Sequence, residues 1–170
     1  NAASGNPGAW LSRDGVEVDL MVPAALAGGT GRRSVQMPPH SRTAARRTEG
    51  LEAALVDHGE LELGALDVAD QRTIRALVAG PAALVVAKAH KIRDRLRDGR
   101  AGDRRADKDA HDVYRLLRST DTPTLASTFG HLLADEIAGD ATRAALEVLA
   151  EHFATGPSAE GARMAGRAEH

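Results

Sequence analysis

The sequence predicts an α+β fold, with strands gathered in its first half and helices in its second. Three observations carry this. Period-two alternation marks GVEVDLMV at 15–22, and again the ELELGALDV that begins at Glu60. TIRALVAG (73–80) is a compact strand-like run closed by Gly80-Pro81. Beyond Pro81 the apolar residues recur at helical spacing, and Pro or Asp stands at the openings.

Taken in order, residues 1–14 are rich in Gly, Ala and Asn and read as a flexible lead-in around Trp10. In the first strand, Val16, Val18, Leu20 and Val22 share one face, and Glu17, Asp19 and Met21 the other, up to Pro23. Residues 27–40 hold too much Gly and Pro for an element interior. GLEAALV fits either a helical turn or a strand. The Asp57-His58-Gly59 turn favours a hairpin joining it to ELELGALDV, where Leu61, Leu63 and Ala65 alternate.

Pro81 suits a first helical position, where a missing N–H costs nothing, so a helix is expected from there to about Arg97, broken by DGRAGD. A second covers roughly Ala106–Arg118. A third opens at Thr122-Pro123 and runs to about Ile137, and a fourth, ATRAALEVLAEHF, is capped by Asp140. Leu132, Leu133, Ile137, Leu146 and Leu149 then need a surface to bury against, and the first two helices offer it. GPSAEGARMAGRAEH lacks an apolar period and reads as a disordered tail over 155–170. The expected division is thus a strand-rich 1–80, a helical 81–154 and that tail.

Composition narrows the function classes. Apolar residues make up 42% of the chain but aromatics only 2%, so the core must rest on Leu, Val and Ala. A net charge of -2 sets up no global field that would draw in nucleic acid or acidic membranes. Without cysteine there are no disulfides, thiolate metal sites or cysteine nucleophiles. No apolar run reaches the roughly 20 residues of a membrane span, and no signal peptide opens the chain, so a cytoplasmic location is the default. The opening also lacks a Met, and the expectation is a piece of a longer protein.

The chemistry-bearing residues gather between Lys88 and Leu117. On a helical wheel Val85, Ala89, Ile92 and Leu96 form a buried stripe, and Lys88, Lys91 and Arg95 lie along one edge. Such a row fits a solvated flank, or the wall of a cleft whose stems pack on apolar surface. On the next helix Ala110, Val113, Tyr114, Leu116 and Leu117 define the apolar arc, with Asp109 inside it and Asp112 at its edge. A carboxylate there needs a cation, since desolvating it unpaired costs several kcal/mol. With a short connection the two helices are expected to be antiparallel neighbours, so Lys88, Lys91 or Arg95 would partner the aspartates. A purely structural salt bridge and a phosphate-handling cleft both fit that pairing. Glu17 and Asp19, two apart on one strand face, suit a divalent cation, or simply form the polar side of a half-exposed strand. The seven histidines show no metal-binding spacing, and His90 and His111 read as surface or boundary residues that face each other across the helices. GGTGRR (28–33) is Gly-rich but does not link a strand to a helix as a phosphate loop does.

Lys88 and Arg95 on one helix, followed by Lys108, Asp109 and Asp112 in KDAHDVYRLL, resemble a late motif of the nucleotidyltransferase superfamily, in particular its AbiEii-like toxin branch. VDLMVP resembles the strand that supplies that superfamily's third catalytic carboxylate, here Asp19. The resemblance spans about residues 15–118. It implies a partial mixed or antiparallel sheet followed by helices, and transfer of a nucleotidyl group from an NTP, with Mg²⁺, to a hydroxyl acceptor. By the same resemblance Asp19 and Lys88 are catalytic, Asp19 holds metal, and Arg95, Asp109 and Asp112 serve the nucleotide; the residue spacing adds Glu17 to the metal set and Lys91 to the nucleotide set. Lys88 would touch phosphate while the two aspartates keep the basic groups in position. The implied partners are a nucleotide, a tRNA or protein acceptor, and a cognate antitoxin. The Gly-Ser turn and Asp-x-Asp pair of the superfamily have no counterpart ahead of Asp19. The chain alone is therefore expected to transfer little, and a nucleotide- or partner-binding module of the same fold is the alternative.

Overall fold

The computed structural model describes residues 6–28, 33–35, 37–40, 43–99 and 103–169. It is α+β, with seven short strands ahead of five helices. The chain divides into two compact units, Asn1–Glu52 and Ala53–His170. The strand-rich part expected over 1–80 is therefore split, and its last two strands belong with the helices.

In the first unit β1 (Ala9–Leu11) pairs antiparallel with β2 (Glu17–Asp19). A separate three-stranded sheet sets β5 (Ala45–Thr48) between β3 (Met21–Pro23), which is parallel to it, and β4 (Ser34–Val35), which is antiparallel. GVEVDLMV is thus two strands broken at Leu20. The break follows from hydrogen bonding: Leu20 N–H donates to Gly8 O and Leu20 O accepts from Arg46 N–H, switching partners between the two sheets. Gly8 has φ +83°, and a Cβ there would stand 2.2 Å from Leu20 O, so the crossing needs glycine. Within the supposed lead-in Ala9–Leu11 form β1, and Trp10 Nε1–H donates to Ala44 O at 2.7 Å. Ala27, Val35 and Ala45 form a small core, while Val16, Val18 and Leu20 stay exposed. Most of GGTGRR lies outside the described residues.

The second unit opens with a 3₁₀ turn at Glu52–Leu55, not a strand. The hairpin pairs β6 (His58–Gly64) with β7 (Thr73–Ala79), so the Asp57-His58-Gly59 turn does not join GLEAALV to ELELGALDV as expected. Asp57 has another task. Its Oδ2 accepts from Ala83 N–H at 2.8 Å, capping α1 (Pro81–Arg97) from outside the helix. Only glycine at position 80 leaves room, since a Cβ there would meet that carboxylate at 2.0 Å.

α2 (Arg104–Ser119) is capped by Asp103 and α3 (Thr122–Ala134) by Asp121, whose side chains accept from Arg105 and Thr124 N–H groups. Asp135, not Asp140, organises the entry to α4 (Gly139–Phe153) by accepting from Ile137 and Ala138 N–H. Asp140 lies inside the first turn and pairs with Arg143.

α1 is the centre of the unit, packed by α2, α3 and α4. Its burial is accordingly wider than one stripe. Val85, Ala89 and Ile92 are joined in the interior by Ala82, Ala83, Val86 and His90. One cluster combines Val86 and Ala89 with Leu125, Leu132, Ala145 and Val148; a second combines Ile92 with Ala106, Ala110, Val113 and Met164. Leu132 is buried as expected, but Ile137 is exposed.

The tail is not disordered. Residues Glu160–Ala168 form α5, which packs on α2 and α4. Small residues permit this: Gly161 lies so close to the Phe153 ring that a Cβ would stand 2.5 Å from it. Arg167 then closes a two-pronged ion pair onto the buried Asp107, at 2.9 and 2.8 Å. No helix among the described residues is long and apolar enough to cross a membrane.

Candidate functional site

α1 and α2 face each other, and the buried edge between them is ionic. Asp109 is 3% exposed and meets three cations. Lys88 Nζ donates to its Oδ1 at 2.8 Å, Lys91 Nζ stands 3.3 Å from the same oxygen, and Arg95 Nη2 is 3.0 Å from Oδ2. Lys88 also donates to Asp112 Oδ2 at 2.7 Å. The geometry follows from helical period: Lys88, Lys91 and Arg95 recur at i, i+3 and i+7 on one side of α1, and Asp109 and Asp112 at i, i+3 on α2. Lys88, Lys91, Arg95, Asp109 and Asp112 are thus brought together as one cluster, with three positive charges against two negative.

The charges are locked. Burial works against the Lys88 ammonium, but its hydrogen bonds to Asp109 and Asp112 outweigh that and hold its pKa above the ordinary lysine value. Asp112 is pushed up by burial and pulled down further by the Lys88 hydrogen bond, with help from Lys108 and Arg115, so its carboxyl lies below the usual range. The two shifts set a pH window. The depressed Asp112 contributes stability above its unfolded pKa of about 3.9 and loses it as pH falls through the folded value. The raised Lys88 contributes below about 10.4 and loses it as pH rises through its own. Denaturant titrations of the native chain and of Asp112→Asn should therefore differ most near neutrality and converge below about pH 3.9, where the carboxyl is protonated in the unfolded chain. A difference constant from pH 3 to pH 7 would contradict the pairing.

Two shallow clefts lie along the outer side of α2. One, of about 350 Å³, has Lys88, Asp112 and Arg115 against Leu84 and Leu116. The other, of about 460 Å³, has His111, Tyr114, Arg115 and Arg118 with Glu169. Both include Arg115 and Ser119. The His111 and Tyr114 rings stack at 6.2 Å, 18° from parallel, and Arg118 lies over the Tyr114 ring at 5.9 Å.

This differs from the sequence reading in two ways. Tyr114 and Leu117 are not core residues, being exposed on the outer side of α2. His90 does not meet His111. It is buried against α4, where Nε2 lies 2.8 Å from Ala141 O. The row His111, Tyr114, Arg115, Arg118 is an i, i+3, i+4, i+7 ridge visible in the sequence, where Tyr114 reads as part of the apolar arc.

Glu17 and Asp19 belong to the first unit, on β2. Both are exposed, and Arg46 Nη2 stands 3.6 Å from Asp19 Oδ2. Among the described residues no group of three or more His, Asp or Glu could hold a metal ion.

No protein-family model, curated protein or solved structure matches the chain.

Proposed function

We propose that the helical unit binds a nucleotide, as a non-transferring member of the nucleotidyltransferase-like fold that the Lys88/Arg95 and Asp109/Asp112 pattern resembles. One observation carries the reading. Lys88 and Arg115 line a cleft that shares Arg115 and Ser119 with a second one holding the stacked His111–Tyr114 pair. Cations beside an exposed aromatic plate suit a ligand with phosphates at one end and a base at the other. In this reading Asp109 acts through Lys88, Lys91 and Arg95. It fixes their stems and leaves the cluster one positive charge in excess. Lys88 and Arg115, the cations that line the first cleft, would then meet the phosphates. Among the described residues no third His, Asp or Glu joins Glu17 and Asp19, so the proposal is one of binding without transfer.

Thermal denaturation with ATP, GTP, CTP or UTP tests it, in EDTA and in Mg²⁺. A ligand at a hundred times its dissociation constant stabilises by about 2.7 kcal/mol, roughly 5–10 °C in a chain this size. The rise is expected in EDTA too, and is expected to vanish in Arg115→Glu and shrink in Tyr114→Ala. No rise with any triphosphate at millimolar concentration, or one untouched by Arg115→Glu, would overturn the proposal.

A further inference from the structure

The β6–β7 hairpin is a two-stranded ribbon that touches the rest of the second unit chiefly at its base, where Ala79 packs on the core and His58 Nδ1 lies 3.0 Å from Ala54 O. Every residue of β6 and five of the seven in β7 are exposed. A lone hairpin is marginally stable in water, and this one is unevenly made. Its register sets Leu61 opposite Ala76 and Leu63 opposite Ile74, so these four and Val78 share one apolar face. Ile74 is 65% exposed and Leu77, on the other face, 67%. That other face also carries Glu60 and Glu62 on β6 and Arg75 on β7.

The free edges differ in charge. At the ends of the ribbon Gly80 N–H donates to Asp57 O and Ala65 N–H to Arg72 O. By antiparallel alternation the inward-bonded residues of β7 are Ile74, Ala76 and Val78, and those with outward N–H and C=O are Thr73, Arg75, Leu77 and Ala79. On β6 the outward residues include both Glu60 and Glu62.

We infer that β7 is an assembly edge that takes the β7 of a second copy of this chain, antiparallel and centred on Ala76, giving a four-stranded sheet in the order β6-β7-β7-β6. Charge selects the edge, and the extent of overlap selects the register. Centred on Leu61, two β6 edges would oppose Glu60 with Glu62 in both directions, and like charges directly opposite destabilise a pair. Two β7 edges centred on Arg75 would oppose the two arginines. Centred on Ala76, all seven residues of β7 find a mate, Arg75 faces Leu77 of the second copy, and Ile74 faces its Val78. The exposed aliphatic residues thereby become cross-strand neighbours, and the contact is self-complementary about a two-fold axis. The rim would also cover a strand edge that soluble proteins otherwise blunt.

The chain has no cysteine, which makes the test direct. Light scattering behind size-exclusion chromatography should give twice the mass of the 17.8 kDa chain. Leu77→Pro removes an outward N–H while sparing the hairpin's own bonds, and is expected to yield a monomer with unchanged circular dichroism. In Ala76→Cys the two thiols face each other across the axis at a non-hydrogen-bonded position, and mild oxidation should cross-link the copies. In Leu61→Cys they are three strand spacings apart, roughly 14 Å, beyond the roughly 7 Å reach of a disulfide. A monomer at all concentrations up to millimolar overturns the inference. So does a dimer that survives Leu77→Pro, cross-linking through Leu61→Cys in place of Ala76→Cys, or open-ended polymers, which would show β6 pairing with β7 between copies.

Discussion

Replacing Asp109 by alanine is expected to destabilise the helical unit by about 3–5 kcal/mol, the range for breaking a buried ion pair by removing one partner. The carboxylate is 3% exposed and stands within 3.3 Å of Lys88, Lys91 and Arg95. Without it, three cations face one another along α1 with only Asp112 to offset them. The cost is concentrated in the two cations with the least access to water. Lys88 and Arg95 have side chains 25% and 15% exposed, so their charges remain partly desolvated and unpaired. Lys91 is half in solvent, and Lys91→Ala should cost less than about 1 kcal/mol, as exposed pairs do. Asp109→Asn keeps the shape and removes the charge, and is expected to fall between the two. Urea denaturation followed by helical circular dichroism measures all three. An Asp109→Ala loss below about 1 kcal/mol would mean that water or a side-chain rotation already compensates the cations, contrary to the burial.

The Asp109 cluster was legible in the sequence because it is set by one helix's period and a short connection. Lys88, Lys91 and Arg95 fall on one side of α1 whatever the rest of the fold does, and an aspartate inside an apolar arc demands a cation. The bounds of α1 were legible for a similar local reason, since Gly80-Pro81 is strong punctuation. What failed were readings that depended on tertiary partners. His90 sits on the polar side of the stripe when α1 is imagined with one neighbour, and is buried once α4 covers a second side. The Asp57-His58-Gly59 turn looked like hairpin chemistry, but Asp57 spends its carboxylate on the start of α1. Alternation in GVEVDLMV was real, yet the period cannot show that Leu20 changes sheets. Asp107 carried no signal at all without its partner sixty residues on. The α5 segment was missed because glycine and alanine supply close approach in place of apolar bulk, and a hydrophobic period registers bulk alone.

That omission leads to the second large effect. Met164→Ala is expected to destabilise by about 2–5 kcal/mol, the range for truncating a buried long side chain to alanine. Met164 is fully buried in a cluster with Ile92, Ala106, Ala110 and Val113, so its loss opens a cavity beneath α5. Ala106, Ala110 and Ala165 cannot rotate to fill the space, while Leu96, Leu149 and Phe153 packed beside them can partly relax into it, which places the loss inside the range and not at its top. A disordered tail would make the same substitution nearly silent, within about 0.5 kcal/mol. Hydrogen exchange separates the mechanisms further. If α5 detaches as a unit, amides of α2 that it covers should lose protection in Met164→Ala, and Arg167→Ala should expose the same set by leaving the buried Asp107 carboxylate unpaired. Two substitutions three residues apart, one removing an apolar side chain and one an ion pair, would then report a single opening. Protection lost over the β6–β7 hairpin but not over α2 would place the weak point elsewhere and refute the docking of α5.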